Sequence, residues 1–220
     1  MKKLVAAMLC LALSLMCAVG LANEKIDPSE LQIGVIMIGD TSDMGFNYSH
    51  LVGLQEMQKN LGIEDRQITI LENVADDSTC ADAISELISN GCNVIIGNSF
   101  GFQTYMYEAA AQHPEVLFCH YSGLLQNDTN FCRFNARNYQ TRYLQGIAAA
   151  MRSESGKIGF VGAFKNAEVN VSLNAYALGA QSVNPDVTVY VKYTNSWYDP
   201  DGETAAANAR AASGVRVVRG

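Results

Sequence analysis

From Leu31 onward, short runs of β-branched and aliphatic residues alternate with stretches in which apolar side chains recur every three or four positions. The first kind of run suits a buried strand and the second an amphipathic helix. Strands are predicted at 31–38, 67–73, 93–97, 116–120 and 130–134. Between them, residues 49–60 form a helix with Leu51, Leu54 and Met57 on one stripe. A second helix opens at Thr79, with Asp82 three residues on in a capping-box arrangement, turns Ile84, Leu87 and Ile88 inward and stops at Gly91. A third covers 102–113 and ends at Pro114. The plan then starts over: a helix at 141–153 with a small-residue run from Gly146 to Ala150, a strand at 157–163, a helix at 171–182, a strand at 187–193, and a helix capped by Asp199 with Pro200 at its first position. Strands alternating with helices build parallel sheets, so two α/β lobes are expected, the first over 23–140 and a partial second over 141–210.

The two ends differ from this pattern. Met1-Lys2-Lys3, an apolar run to Cys17 and a small-residue exit at Gly20-Leu21-Ala22 make residues 1–22 a secretory signal peptide, which places the mature chain outside the cytoplasm. Soluble release into the periplasm is expected over a lipid anchor at Cys17, because Met16 precedes that cysteine where a small residue is wanted. Residues 211–220 are atypical: Arg210, Arg216 and Arg219 crowd the end and no acid follows Glu203. The expectation is a truncation or frameshift that leaves the second lobe incomplete.

Composition narrows the partners. Half the residues, 49%, are hydrophobic and 17% are charged, which is globular content. Removing Lys2 and Lys3 takes the net charge from −7 to −9, and an acidic surface without a basic stripe excludes nucleic acid as a partner. A monomer is expected. Cys80 and Cys92 bracket a helix and stand about 18 Å apart, beyond the ~7 Å a disulfide tolerates. Cys119 and Cys132 lie on successive strands and meet only if those strands are neighbours in register; otherwise all four are free thiols.

His50, His113 and His120 lack metal-ligand spacing, and there is no Gly-x-Ser-x-Gly elbow, Gly-x-Gly-x-x-Gly turn or phosphate loop. No catalytic residue, metal or cofactor is assigned. The informative segments follow the strands, where open α/β sheets bind ligands: Gly39 to Asn47, Gly97 to Phe102, His120 to Gly123, and Thr194 to Tyr198. Each brings aromatic and small polar side chains to one rim, which suits a planar heterocycle stacked on rings and read along its edge. Core packing for Phe46, Phe102 and Trp197, and helix capping for Asp43 and Asn47, are the competing roles. A hydrolase using Ser99, His120 and an acid is the competing activity.

The segments Asp43-Met44-Gly45-Phe46-Asn47, Ser99-Phe100-Gly101-Phe102, Ile158-Gly159-Phe160-Val161-Gly162 and Ser182-Val183-Asn184-Pro185-Asp186, with Thr194 to Pro200, resemble the basic membrane protein family of ABC-transporter receptors. That resemblance implies a type I periplasmic binding fold with a purine nucleoside or purine base between the lobes, delivered to an inner-membrane ABC permease. It implies Phe46 and Trp197 as the two stacking rings and Asp43 and Asn47 as readers of the base edge. Ser99, Phe102 and Tyr121 are expected to line the cleft, and Glu168 to meet a polar group of the ligand. A same-fold receptor for a sugar or signalling solute is the alternative; such a pocket wants arginine, and the loops contain none.

Overall fold

The computed structural model describes residues 26–211, 214 and 216–219; the expected signal peptide and Cys17 lie outside them. Five parallel strands, β1 (Ile33–Ile36), β2 (Ile68–Leu71), β3 (Val94–Gly97), β4 (Leu117–Tyr121) and β5 (Phe131–Phe134), form one sheet in the order β2-β1-β3-β4-β5. Three more, β6 (Lys157–Gly162), β7 (Thr188–Tyr193) and β8 (Arg216–Arg219), form a second parallel sheet in the order β7-β6-β8. The α/β class with parallel sheets is as the hydrophobic pattern predicts. Residues 216–219, inside the segment expected to be atypical, pair with β6.

The first sheet is covered on both faces, which is why its central strands read as unbroken apolar runs. Helix α1 (Phe46–Leu61) closes one face, setting Leu54 against Ile33, Val35 and Met37. Helices α2 (Ser78–Ser89) and α3 (Gln103–Gln112) close the other, with Ile84 and Leu87 of α2 in one core with Ile36, Ile95 and Phe118. The second sheet packs on α4 (Asn138–Arg152) and α5 (Ala167–Val183), with Tyr176 fully buried and its hydroxyl donating to the Gly159 carbonyl at 3.3 Å. Helix α6 (Pro200–Ala211) precedes β8.

Helices α4 and α5 approach backbone to backbone. A Cβ on Gly146 would strike the Tyr176 carbonyl, and one on Gly179 the Tyr143 carbonyl. Reciprocal glycines make this crossing possible, as the small-residue run implied. Several helices start earlier than expected, those at 138 and 167 among them, and two do so through an aspartate cap. Helix α1 begins at Phe46 rather than residue 49 because Asp43 receives its first N–H groups, and α2 is capped by Asp77, which accepts from the Thr79 N–H, instead of by a Thr79–Asp82 box. Among the described residues no helix is long and apolar enough to cross a membrane.

Candidate functional site

The sequence order reverses between β1 and β3, and again between β6 and β8. At such switch points neighbouring loops diverge and leave a crevice at the carboxyl ends of the strands. Both crevices open onto one cavity of about 1280 Å³. Asp43, Phe46, Asn47, Ser99 and Tyr121 line it from the first sheet, and Glu168 and Trp197 from the second. Seven of the eight candidate residues therefore come together.

Phe102 does not. It is fully buried in the core between the first sheet and α2–α3, and Phe100 lines the cavity in its place. The 3-10 turn Phe100–Phe102 sends the two rings different ways. Gly101 between them sits directly against the Asp76 carboxylate, which a Cβ there would displace.

Phe46 stands at the rim, 43% exposed. Its ring centroid is 4.7 Å from His50 and 5.6 Å from Tyr121, and His50 and Tyr121 are 4.7 Å apart, all edge-on. His50 is four residues beyond Phe46 on α1 and so shares its face, a spacing from which its place here could have been read. On the opposite wall Trp197 packs edge-on to Phe164 at 5.1 Å. Its indole Nε1 donates across the cleft to Asp76 Oδ2 at 2.8 Å, linking the loops after β7 and β2.

The polar residues beneath these rings are largely engaged with one another. Asp43 Oδ1 accepts from the Gly45 and Tyr48 N–H groups, and Oδ2 from the Asn47 N–H and side-chain amide, at 2.9–3.0 Å. Four donors fill the roughly four acceptor positions of a carboxylate, so Asp43 builds the loop that holds Phe46. Burial works to raise its pKa, but those four hydrogen bonds outweigh it and hold the carboxyl below its ordinary value. Asn47 is 5% exposed; its Oδ1 accepts from Asn98 Nδ2 at 2.9 Å and from the Gly39 N–H at 3.4 Å, tying the β1 loop to β3.

Several groups have charges tuned by the cavity. Burial lowers the pKa of His50, with Asp43 opposing. Burial raises that of Glu168, with Ser122 and Asn135 opposing, and that of Tyr121, whose hydroxyl accepts from Asn138 Nδ2 at 2.9 Å. Arg142, half-buried in the first turns of α4, also lines the cavity; its guanidinium donates to Gln145 and burial lowers its pKa. No sequence signal marked Arg142, because the loops carried the search and it sits on a helix. Met44, Asn73, Ser122 and Asn195, the described non-glycine residues with positive φ, all line this cavity. Left-handed backbone at such residues is costly and gathers where a site needs it.

The pair proposed for hydrolysis is not assembled for it. His120 is fully buried, and its Nε2 donates at 2.7 Å to the backbone carbonyl of Ser99 rather than engaging the hydroxyl.

A family of ABC transporter substrate-binding proteins, the PnrA-like or Bmp family, matches residues 30–220 by its sequence model. The chain belongs to that family. Bmp-family members are solute-binding proteins rather than enzymes, in keeping with the disposition of Ser99 and His120. Among curated relatives, a purine-binding protein of Brucella abortus (strain 2308) is 38% identical over 90% of this chain and 54% of its own length. A Haloferax volcanii protein, provisionally named an ABC transporter glucose-binding protein, is 35% identical over 83% of this chain and 46% of its own. The crystal structure of an ABC transporter solute-binding protein from Aeropyrum pernix K1 superposes with a TM-score of 0.75 at 20% identity, covering 86% of this chain and 54% of that one. The likeness of fold is to type I solute-binding proteins, and this chain spans about half the length of the relatives it matches.

Proposed function

We propose that this chain is the ligand-binding component of an exported ABC import system and holds a purine nucleoside or purine base between a first lobe, 23–140, and a second, 141–210. The observation that carries this reading is that Phe46 and Trp197, from different sheets, face the same cavity. In this reading the base stacks between them, each stacked face contributing roughly 1–3 kcal/mol. Asn47, Ser99, Tyr121 and Glu168 meet the polar edge, while Asp43 acts through the loop it caps. The name of the Brucella relative supports the purine class. The monomer closes about its ligand, and the closed form docks on a permease in the inner membrane.

A sugar is the second reading, favoured by the Haloferax relative and by Arg142 on the cavity wall. Calorimetric titration with adenosine, guanosine, inosine, adenine, ribose and glucose separates the two. Saturable heat with purines alone supports stacking; saturation with glucose alone replaces the purine reading by the sugar one.

A further inference from the structure

Cys119 lies in β4 and Cys132 in β5, and the strand register pairs them directly. Their side chains therefore leave the same face of the sheet, and the two sulfurs stand 3.5 Å apart. Neighbouring strands lie about 4.8 Å apart, inside the ~4.4–6.8 Å over which two Cα atoms accept a disulfide. Side-chain rotation alone then brings the sulfurs to bonding distance. Cys80, in α2, and Cys92, just beyond its end, are in contrast both buried in the core.

We propose that Cys119 and Cys132 are oxidised to an interstrand disulfide that staples the edge strand β5 to β4. The oxidant is a low-molecular-weight disulfide. Cys132 is exposed and reacts first: its thiolate attacks one sulfur of the external disulfide, a mixed disulfide forms, and one small thiolate leaves. Cys119 then gives up its proton and attacks the Cys132 sulfur, expelling the second small thiolate. Two protein thiols are oxidised while one external disulfide is reduced to two thiols. Burial, and then the neighbouring Cys132, push the Cys119 thiol up to about 12, so the second step quickens as pH rises.

The staple sits beneath the cavity. Beyond Cys119, β4 ends in Tyr121 and leads to Ser122 of the cavity wall, and β5 runs on to α4 and Arg142. An unpaired edge strand is the part of a sheet most open to fraying and false pairing, and β5 is such an edge.

The test incubates the full chain with oxidised glutathione at pH 8, alkylates it in denaturant, and maps the cysteines after cleavage at acidic residues, since no Lys or Arg separates the pair. The expected result is a linked peptide holding Cys119 and Cys132, with Cys80 and Cys92 alkylated. In Cys119→Ser the reaction stops at a glutathione adduct on Cys132. The oxidised chain is expected to melt about 5 °C or more above the reduced one. A lasting glutathione adduct on Cys132 beside an alkylated Cys119 in the native chain, both cysteines alkylated, or an unchanged melting midpoint would overturn the proposal.

Discussion

Between Ser99 and Gln103 a single 3-10 turn separates a ring that lines the cavity, Phe100, from one that fills the core, Phe102. Composition could not tell these two apart; only the turn does. The distinction is measurable. Phe102→Ala leaves a cavity in a sealed core and is expected to cost about 3–5 kcal/mol in urea unfolding. Phe46→Ala, at an exposed rim, is expected to leave that stability nearly unchanged and to weaken purine binding roughly 10–100-fold, read by calorimetry. The reverse pattern would exchange their roles. His50 and His120 carry a second prediction. Burial lowers both pKa values, so the unfolded chain binds protons that the folded chain refuses. Stability is therefore full above about pH 6.5, the unfolded value, and declines as pH falls toward the folded ones. The urea midpoint is expected to drop between pH 7.5 and pH 6; Glu168, whose pKa is raised by burial, acts in the opposite sense, so the drop is read as the difference from Glu168→Gln. A midpoint that rises over this interval would contradict the assignment.

At the scale of elements, the contact of α4 with α5 rests on Gly146 and Gly179, each against a carbonyl of the other helix. Gly146→Ala and Gly179→Ala are each expected to cost about 1–3 kcal/mol or more by overpacking, even though alanine is the better helix former. Thermal unfolding measures this, and a raised midpoint in either variant would show that the crossing is looser than described. Close packing of α4 was legible in the run from Gly146 to Ala150, but its partner helix and Gly179 were not. Strand positions were legible as well, since buried parallel strands leave continuous apolar runs. Helix starts were less so. Asp43 lies three residues before α1 and had two credible roles, capping and ligand contact; the spacing of its backbone partners decides between them only in three dimensions. Arg142 was invisible because it reaches the cavity from a helix, which no strand-end rule singles out; Asp76 lies in the loop after β2, a strand end that carries no aromatic residue to mark it.

At the scale of the whole molecule, the account rests on one cavity shared by two parallel sheets, with aromatic side chains on both walls and a hydrogen bond from Trp197 to Asp76 across it. A ligand that binds only this folded arrangement raises its stability by mass action, about 2.7 kcal/mol at a hundredfold excess over Kd. A purine nucleoside or base is therefore expected to raise the melting midpoint in proportion to the logarithm of its concentration, and ribose is not. The most direct measurement uses the single tryptophan of the chain, which is one of the two proposed stacking rings. Fluorescence of the folded protein is titrated with adenosine, guanosine, inosine, adenine, ribose and glucose. Saturable quenching by purines, absent with ribose and glucose and abolished in Phe46→Ala, is the result the account predicts. Saturation with glucose, or a tryptophan signal that no purine alters in the folded protein, would contradict it.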